Sequence, residues 1–317
     1  VLIFDNHNSV NGIREYATAK GADVQYIPVV LPDLRVDETT LFEELNSMDR
    51  GCTNLFAYPA QSNFSGVQHP LEWIEKAQTL GWDVILDAAA FTPTNSLDLS
   101  KWKPNFVPLS FYKMFGYPTG VGALLARKDT INKLHRSWFA GGTTTVTSVR
   151  GGKYYPADAP ACFEDGTVDF LNIPAIEIGL RHLQSIGMSN IHTRVISLTG
   201  WLLQELTALT HANGNPLVKV YGPITTENRG GTITLNFMDP DGNLIRKDIL
   251  ETRANQEKIS IRMGFFCNPG AGEIALDIST DELASCFSRP RYSDRLTDLD
   301  FQECIDPKAT GAVRVSV

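Results

Sequence analysis

Four polar residues of different chemical types stand at or just after predicted strands in the first half of the chain. Asp87 closes the apolar run VILD, and Lys113 comes 26 residues later, after another apolar run. His7 follows the first predicted strand, and Asn63 follows a third. Because ligands of parallel sheets bind beyond the carboxyl ends of the strands, we expect these four side chains to converge on one crevice.

An amine, a carboxylate, an imidazole and an amide in one crevice suit one cofactor, pyridoxal phosphate. Its aldehyde reacts with a lysine amine, and burial lowers the pKa of a lysine so that the neutral amine is available. Its ring nitrogen needs a carboxylate partner to stay protonated, since the protonated ring is the electron sink. Its ring face needs a flat group, and its phosphate needs hydroxyls and backbone amides. The four residues therefore predict an enzyme that uses this cofactor.

Each of these residues also has a plainer interpretation. Lys113 alone could be a surface lysine on a turn, and Asp87 could cap the segment that follows it. Asn63 and its neighbour Gln61 could be turn formers before FSG. The other histidines are assigned to exposed or structurally satisfied positions; they are His69, His135, His182, His192 and His211.

An alternation of strand and helix patterns must position these residues. In the first half, short apolar runs such as VLIFD, NLFAYPA and DVILD alternate with segments of helical spacing such as PLEWIEKAQTLG. This alternation predicts an α/β fold, with a mostly parallel sheet and helices on both faces. Two long helical stretches follow, and then strand patterns such as GGTITLNFM. We therefore predict a large domain over residues 1–185 and a smaller α+β domain over residues 186–317.

The composition excludes several classes of partner. The chain has 317 residues, of which 43% are hydrophobic and 20% charged, which is typical of a soluble globular protein. A net charge of −8 argues against nucleic acid or an anionic membrane as a partner. The sequence contains no apolar run of transmembrane length. It opens inside VLIFD and stops inside GAVRVSV, so we expect it to be a piece of a longer polypeptide.

The five cysteines show neither a CxxC pair nor zinc spacing, so we predict no metal site and no disulfide framework. An odd count in a long, enzyme-like chain favours reduced thiols and a cytoplasmic location. Cys267 differs from the other four because it lies in FFCNPGAGE, a loop rich in turn formers. It could be a buried small hydrophobe, or a mobile and reactive thiol.

Several motifs together resemble a known family. The stretches SFYKMFGYPTG and RMGFFCNPG form the most specific pair, and AYPAQSNFSG, WFAGGT and FEDGT accompany them. They are similar to the aminotransferase-like domain of molybdenum cofactor sulfurases, which are class V, fold-type I pyridoxal-phosphate enzymes related to cysteine desulfurases. The resemblance runs over nearly the whole chain.

The resemblance implies a role in cofactor binding for seven residues. They are Lys113 for the aldehyde, Asp87 for the pyridinium nitrogen, His7 for stacking on the ring, Asn63 for its oxygen side, Ser110 and Tyr112 for the phosphate, and Thr143 for the phosphate of a partner subunit. Two features depart from related desulfurases: Ala90 stands where many have glutamine, and Tyr112 where many have histidine. The phosphate loop and the molybdenum-cofactor-binding domain of the family lie outside this sequence.

The resemblance also implies a reaction. Lys113 and Cys267 would be catalytic, with Cys267 accepting sulfur from L-cysteine as a persulfide and alanine being released. Arg314, or Arg262, would hold the substrate carboxylate. The sulfur would pass to the molybdenum cofactor, and the enzyme would be a homodimer. Two alternatives stay open: a general cysteine desulfurase or selenocysteine lyase of class V, and a non-catalytic fragment or scaffold.

Overall fold

The computed structural model describes residues 1–47, 51–289, 295–305 and 311–317. Its strands are β1 (Leu2–Ile3), β2 (Tyr26–Ile27), β3 (Val29–Val30), β4 (Arg35–Val36), β5 (Asn54–Pro59), β6 (Trp82–Asp87), β7 (Phe106–Ser110), β8 (Gly122–Ala126), β9 (Thr144–Ser148), β10 (Lys153–Pro156), β11 (Val218–Tyr221), β12 (Thr232–Phe237), β13 (Arg262–Gly264) and β14 (Ala312–Ser316). Its helices are α1 (Asn8–Asn11), α2 (Ile13–Ala19), α3 (Glu38–Asn46), α4 (Trp73–Thr79), α5 (Phe111–Phe115), α6 (Lys128–Ile131), α7 (Pro174–Ile186), α8 (Met188–Ala208), α9 (Lys247–Gln256), α10 (Pro269–Ala275), α11 (Thr280–Phe287) and α12 (Asp298–Cys304).

The main sheet has six strands in the order β2-β1-β5-β6-β7-β8. All neighbouring pairs are parallel except β7 and β8, which run antiparallel with Ser110 opposite Gly122. The predicted α/β class with a mostly parallel sheet is therefore confirmed. The carboxyl ends of β1, β5, β6 and β7 lie along one edge, so the residues after these strands meet there.

The central strands are mostly apolar because both faces of this sheet are covered. On one face, Ile3, Phe56 and Leu86 belong to the largest hydrophobic cluster, together with Trp73 of α4. On the other face, Leu2 and Ala57 pack with Val10 of α1, and the partly buried Ile85 of β6 packs against them. The period of two along each strand thus sends alternate side chains into two separate cores.

The second sheet has the order β11-β12-β14-β13 and is antiparallel throughout. Its own small cluster contains Leu203 of α8, Ile233 and Leu235 of β12, and Val313 of β14. The α+β character predicted for the second part of the chain is present here. The boundary between residues 185 and 186, which falls at the end of α7, stays a prediction.

Several elements are absent from the sequence-based prediction. The hairpin β9–β10 and the helices α10, α11 and α12 were not expected. Helix α11 begins with a capping box, in which the side chains of Ser279 and Glu282 reciprocally bond backbone amides. These helices are seven or eight residues long, too short for an apolar period of 3.6 to stand out in a sequence window.

The prediction of five reduced thiols is wrong for two of them. Cys286, in α11, and Cys304, in α12, form a disulfide with 5.7 Å between their Cα atoms. Cys286 is fully buried, and the fold brings the two helices together across 18 residues of sequence. Cys162 and Cys267 are free, and Cys52 and Cys267 are exposed. Among the described residues, the helices are all too short or too polar to cross a membrane.

Candidate active site

Asp87 is the last residue of β6 and lies in the centre of the carboxyl edge of the main sheet. Its side chain is buried, and one carboxylate oxygen accepts a hydrogen bond from the Ala89 amide at 3.0 Å. This bond is the local capping interaction expected of an aspartate before a turn. In the part of the chain that the structure describes, the other oxygen has no hydrogen-bond partner.

His7 follows β1 and caps helix α1. The ring nitrogen Nδ1 accepts a hydrogen bond from the Ser9 amide at 3.1 Å and lies 2.9 Å from the Ser9 hydroxyl. These contacts hold a half-buried imidazole at the edge of the sheet. Its orientation is therefore set by the local backbone of α1.

The pKa of His7 shows which charges surround it. Burial, above all, lowers this pKa below 6.5, and the positive charge of Lys113 lowers it further. The carboxylate of Asp87 raises it, while Arg262 and Arg314 lower it. All four charged groups thus lie close enough to act on one imidazole. His7, Asp87 and Lys113 thus lie near one another at the carboxyl edge, and their roles toward a cofactor stay predictions.

Lys113 lies on α5, which begins directly after β7. The side chain is exposed, as is that of Tyr112, whereas Ser110 is half-buried. The expectation of a buried amine is therefore wrong, because α5 lies at the open side of the sheet next to β8. The hydroxyl of Ser110 makes no capping bond to α5, so it is available to a ligand.

Arg262 and Arg314 are directly opposite each other on the adjacent strands β13 and β14. Arg314 is held in place: its Nη1 donates to the Asn63 carbonyl at 3.0 Å, and its guanidinium lies 4.8 Å from the centre of the Phe266 ring. Burial, then Arg262, lowers the pKa of Arg314, while Cys267 raises it. Arg262 is exposed. The structure thus shows that Arg314 is ordered and Arg262 is exposed. The strand pattern of the sequence does not distinguish the two.

Cys267 is the second residue of an unusual turn after β13. Phe266 and Cys267 have φ angles of 56° and 57°, so two consecutive residues other than glycine are left-handed. Such a conformation costs about 1–2 kcal/mol per residue and persists only where the surroundings enforce it. The Cys267 carbonyl accepts from the Asn8 amide at 2.7 Å, which places the turn beside His7. The thiol is exposed.

The side chains of two predicted residues already make hydrogen bonds within the protein. The side chain of Asn63 is engaged by the turn: its Nδ2 donates to the Phe266 carbonyl at 2.7 Å. Thr143 is buried, and its hydroxyl exchanges hydrogen bonds with the backbone of Ala140. It lines a cavity of about 440 Å³ with residues such as Trp138 and Tyr154, apart from the crevice around Asp87. Their predicted roles toward the cofactor stay predictions.

A buried polar network beneath the turn was missed by the sequence analysis. Asp5 is at its centre and accepts from Ser62 at 2.6 Å, from His69 at 2.9 Å and from Asn268 at 2.8 Å. All four residues are buried. His69 had been assigned a structural role, in keeping with this position. The signal that could have indicated Asn268 is the order NPG after Cys267, since asparagine before proline is typical of a helix start.

The sequence of this chain is similar to a known family and to known proteins. The family described as aminotransferase class-V matches residues 1–280. The human molybdenum cofactor sulfurase is 36% identical over 331 residues, which cover 98% of this chain and 36% of that protein. The Arabidopsis thaliana molybdenum cofactor sulfurase is 35% identical over 350 residues, which cover 98% of this chain and 42% of that protein. The chain thus spans well under half the length of these relatives.

Solved structures show the same fold. A cysteine desulfurase from Thermococcus onnurineus matches 100% of this chain and 67% of its own, with a TM-score of 0.72 and 20% identity. A cysteine desulfurase from Escherichia coli matches 99% and 66%, with a TM-score of 0.74 and 16% identity. Because the family match extends over residues 1–280 and the carboxyl edge carries the residues described above, this chain belongs to the class-V aminotransferase family.

Proposed function

We propose that this chain is the desulfurase part of a molybdenum cofactor sulfurase. It would use pyridoxal phosphate to remove sulfur from L-cysteine, form a persulfide on Cys267 and release alanine. The sulfur would then pass to the molybdenum cofactor. The similarity to the human and Arabidopsis sulfurases, over 98% of this chain, supports this assignment.

One observation carries the proposal. An amine, a carboxylate and two guanidinium groups surround the imidazole of His7, and Asp87 is the one anion among these four groups. Such a crevice, rich in positive charge with one buried acid, suits an anionic ligand that has a basic ring nitrogen. Cys267 lies at the same place, since its carbonyl accepts a hydrogen bond from the amide of Asn8, the residue after His7.

The residues present fit pyridoxal phosphate. Asp87 has a carboxylate oxygen left for a ring nitrogen, Lys113 has an exposed amine for an aldehyde, and Ser110 has a hydroxyl that makes no capping bond. His7 offers a flat ring whose lowered pKa keeps it neutral at pH 7, as stacking on a cationic ring requires. When bound, this cofactor supplies an electron sink for the Cα carbon of an amino acid.

The chain's own residues would then act on L-cysteine. Arg314, ordered by Asn63 and Phe266, binds the carboxylate of the substrate. The amine of Lys113 takes the proton from Cα and later returns a proton to the carbon skeleton. Arg262, opposite Arg314, adds positive charge at the open side of the crevice.

Cys267 performs the sulfur step. Its thiolate attacks the sulfur of L-cysteine, so that one S–S bond forms and the C–S bond breaks. The electron pair of the broken bond stays with carbon, which is protonated to give alanine. One L-cysteine and one thiol thus give one alanine and one persulfide, and no further oxidant or reductant is needed. The exposed position of Cys267 allows the persulfide to reach an acceptor.

A general cysteine desulfurase is the second candidate. The solved structures that share this fold, from Thermococcus onnurineus and Escherichia coli, are cysteine desulfurases, so the fold is compatible with this function as well. The two functions differ only in the acceptor.

We also propose a homodimer, which is supported by large exposed apolar side chains such as Leu124, Leu171 and Ile178, exposed by 60–79%.

The protein purified from its complete open reading frame provides the test. The wild-type protein should be yellow, and it should release alanine from L-cysteine. The variant Lys113→Ala should lose the visible band because the amine that holds the cofactor is gone. The variant Cys267→Ala should keep the band and lose persulfide formation. Cys52→Ala, which removes another exposed cysteine, is a matched control and should behave like wild type.

Two outcomes would count against the proposal. A colourless protein that takes up no added pyridoxal phosphate would favour the non-catalytic scaffold. Persulfide formation at the wild-type rate in Cys267→Ala would mean that another thiol accepts the sulfur. Transfer of labelled sulfur to the molybdenum cofactor, compared with transfer to a small thiol, distinguishes the sulfurase from a general desulfurase. A preference for L-selenocysteine over L-cysteine would identify a selenocysteine lyase instead.

A further inference from the structure

Asn268 contributes a buried side chain to the hydrogen bonds that join the Cys267 turn to the carboxyl edge of the main sheet. Asn268 follows the two left-handed residues directly and is fully buried. Its Nδ2 donates to the Asp5 carboxylate at 2.8 Å, to the Asp5 carbonyl at 3.1 Å and to Asn63 Oδ1 at 3.1 Å. Its Oδ1 accepts from the Ala271 amide at 3.4 Å and so caps helix α10.

The acceptor of this bond is itself fixed from two other directions. Ser62 donates to the same oxygen of Asp5 at 2.6 Å, and His69 donates to the other oxygen at 2.9 Å. Asp5 follows β1, while Ser62 and His69 follow β5, so the carboxylate belongs to the rigid edge of the main sheet. A hydrogen bond to a buried carboxylate is among the strongest available, and its loss leaves that charge short of a donor.

The network extends to Arg314, the residue proposed to bind the substrate carboxylate. Asn63 accepts from Asn268, donates to the Phe266 carbonyl and, through its own carbonyl, holds Arg314. The position of the Cys267 thiol and the position of the substrate-binding guanidinium therefore depend on one set of buried bonds. Two residues in a costly left-handed conformation need such enforcement to stay in place.

We propose that Asn268 is a positioning residue for Cys267. By joining the Cys267 turn to the buried Asp5 carboxylate, it holds the thiol in line with the sulfur of a substrate bound to Arg314. This inference rests on the proposed function, because the benefit of a fixed thiol is a faster sulfur step. Asn268 itself takes no part in the reaction.

The sharpest variant is Asn268→Asp. It keeps the size of the side chain and the oxygen that caps α10, and it replaces the Nδ2 donor with a carboxylate oxygen facing Asp5. The carboxylate of Asp5 then faces a second carboxylate in place of a hydrogen-bond donor, and their repulsion displaces the Cys267 turn. Asn105→Asp is the matched control. Asn105 is also buried, and its Nδ2 also donates to a carboxylate, that of Asp83 at 2.8 Å, at the opposite edge of the sheet.

Two measurements are made on the wild type and on both variants. Hydrogen–deuterium exchange of the peptide covering residues 262–272, without added cofactor, reports opening of the turn. Alanine formation from L-cysteine reports the reaction. We expect Asn268→Asp to speed exchange in this peptide and to lower kcat by about 10²-fold, with a much smaller change in KM, as expected for a misplaced reacting group. Asn105→Asp should lower stability and change neither measurement.

Three outcomes would overturn the inference. Faster exchange with unchanged kcat would mean that Asn268 supports the structure and does not position the thiol. Unchanged exchange with a lower kcat would mean that Asn268 acts on the reaction directly. If both measurements are unchanged, the network does not hold the turn. Should the wild type form no alanine from L-cysteine, the proposed function fails, and unchanged exchange in Asn268→Asp would then also refute the anchoring of the turn.

Discussion

At the scale of single residues, burial and hydrogen bonding differ between side chains of the same type. Arg262 and Arg314 both alternate with apolar residues in their strands and are equivalent by sequence pattern. In the structure, Arg314 is half-buried, bonded to a carbonyl and stacked on a ring, whereas Arg262 is exposed. A guanidinium that is already ordered loses less entropy when it binds a carboxylate. Arg314 is therefore the better candidate for the substrate carboxylate.

The variant Arg314→Lys should raise the KM for L-cysteine. Lysine keeps the charge but lacks the planar fork, and a charge-assisted hydrogen bond is worth about 1.5–3 kcal/mol, or about 10- to 10²-fold in affinity. Steady-state kinetics of alanine formation measures the change. Arg262→Lys is the matched control and should raise KM less; a larger effect at Arg262 would assign the carboxylate to that residue.

His7 should titrate below the pH at which an unperturbed histidine does. Burial and the charge of Lys113 lower its pKa below 6.5 in the folded protein, whereas in the unfolded chain the group keeps its ordinary value. The unfolded state then binds more protons, so this group reduces stability as the pH falls from 6.5 toward the folded-state pKa. NMR titration of the imidazole measures the shift. A folded-state pKa at or above 6.5 would contradict the arrangement of charges around the ring.

At the scale of elements, helix α10 carries the base of the Cys267 turn and lies against the end of the first strand. Gly270, in its first turn, comes so close to the main chain that a Cβ atom there would overlap the carbonyl oxygen of Phe4. Ala271 and Ala275 of the same helix are buried in the largest hydrophobic cluster. Small residues are thus required on one face of α10 because two backbones approach each other there.

The variant Gly270→Ala should destabilise the protein by about 1–3 kcal/mol, as overpacking of a filled interior does. The clash is with backbone, so the helix itself must move away from β1. Gly12→Ala is the control: Gly12 has an ordinary helical φ of −59°, and a Cβ there would lie 3.7 Å from its nearest neighbour. Denaturant unfolding of both variants measures the difference. Equal stabilities would show that α10 has room to shift.

At the scale of the whole molecule, a buried arginine joins the two sheets. Arg229 is 1% exposed and donates to the carbonyls of Ser65, after β5, of Pro223, after β11, and of Gly230 and Thr232, at the start of β12. Burial, and to a smaller extent the charge of Arg35, lowers its pKa to about 10, so it stays charged at neutral pH. Its acceptors are carbonyl oxygens from both parts of the chain, and they take the place of water.

The variant Arg229→Met should therefore lower the free energy of unfolding by about 3 kcal/mol or more, since several buried carbonyls lose a donor at about 1–3 kcal/mol each. Thermal or denaturant unfolding measures the loss. The comparison is Arg35→Met, which removes exposed hydrogen bonds to the carbonyls of Glu227 and Asn228 and should cost much less. Similar losses in the two variants would mean that Arg229 does not join the sheets.

The sequence by itself determined the class of the fold and the chemistry of the crevice. Continuous apolar strands alternating with helices indicate a covered parallel sheet, and chain direction then sends His7, Asp87 and Lys113 to one edge. Only the tertiary structure decided that Lys113 is exposed, that Cys286 and Cys304 are joined, and that Asn268 bonds to Asp5, 263 positions away. The hydrophobic periodicity of a segment indicates which of its side chains are buried. Contacts between segments distant in sequence depend instead on how the elements pack together.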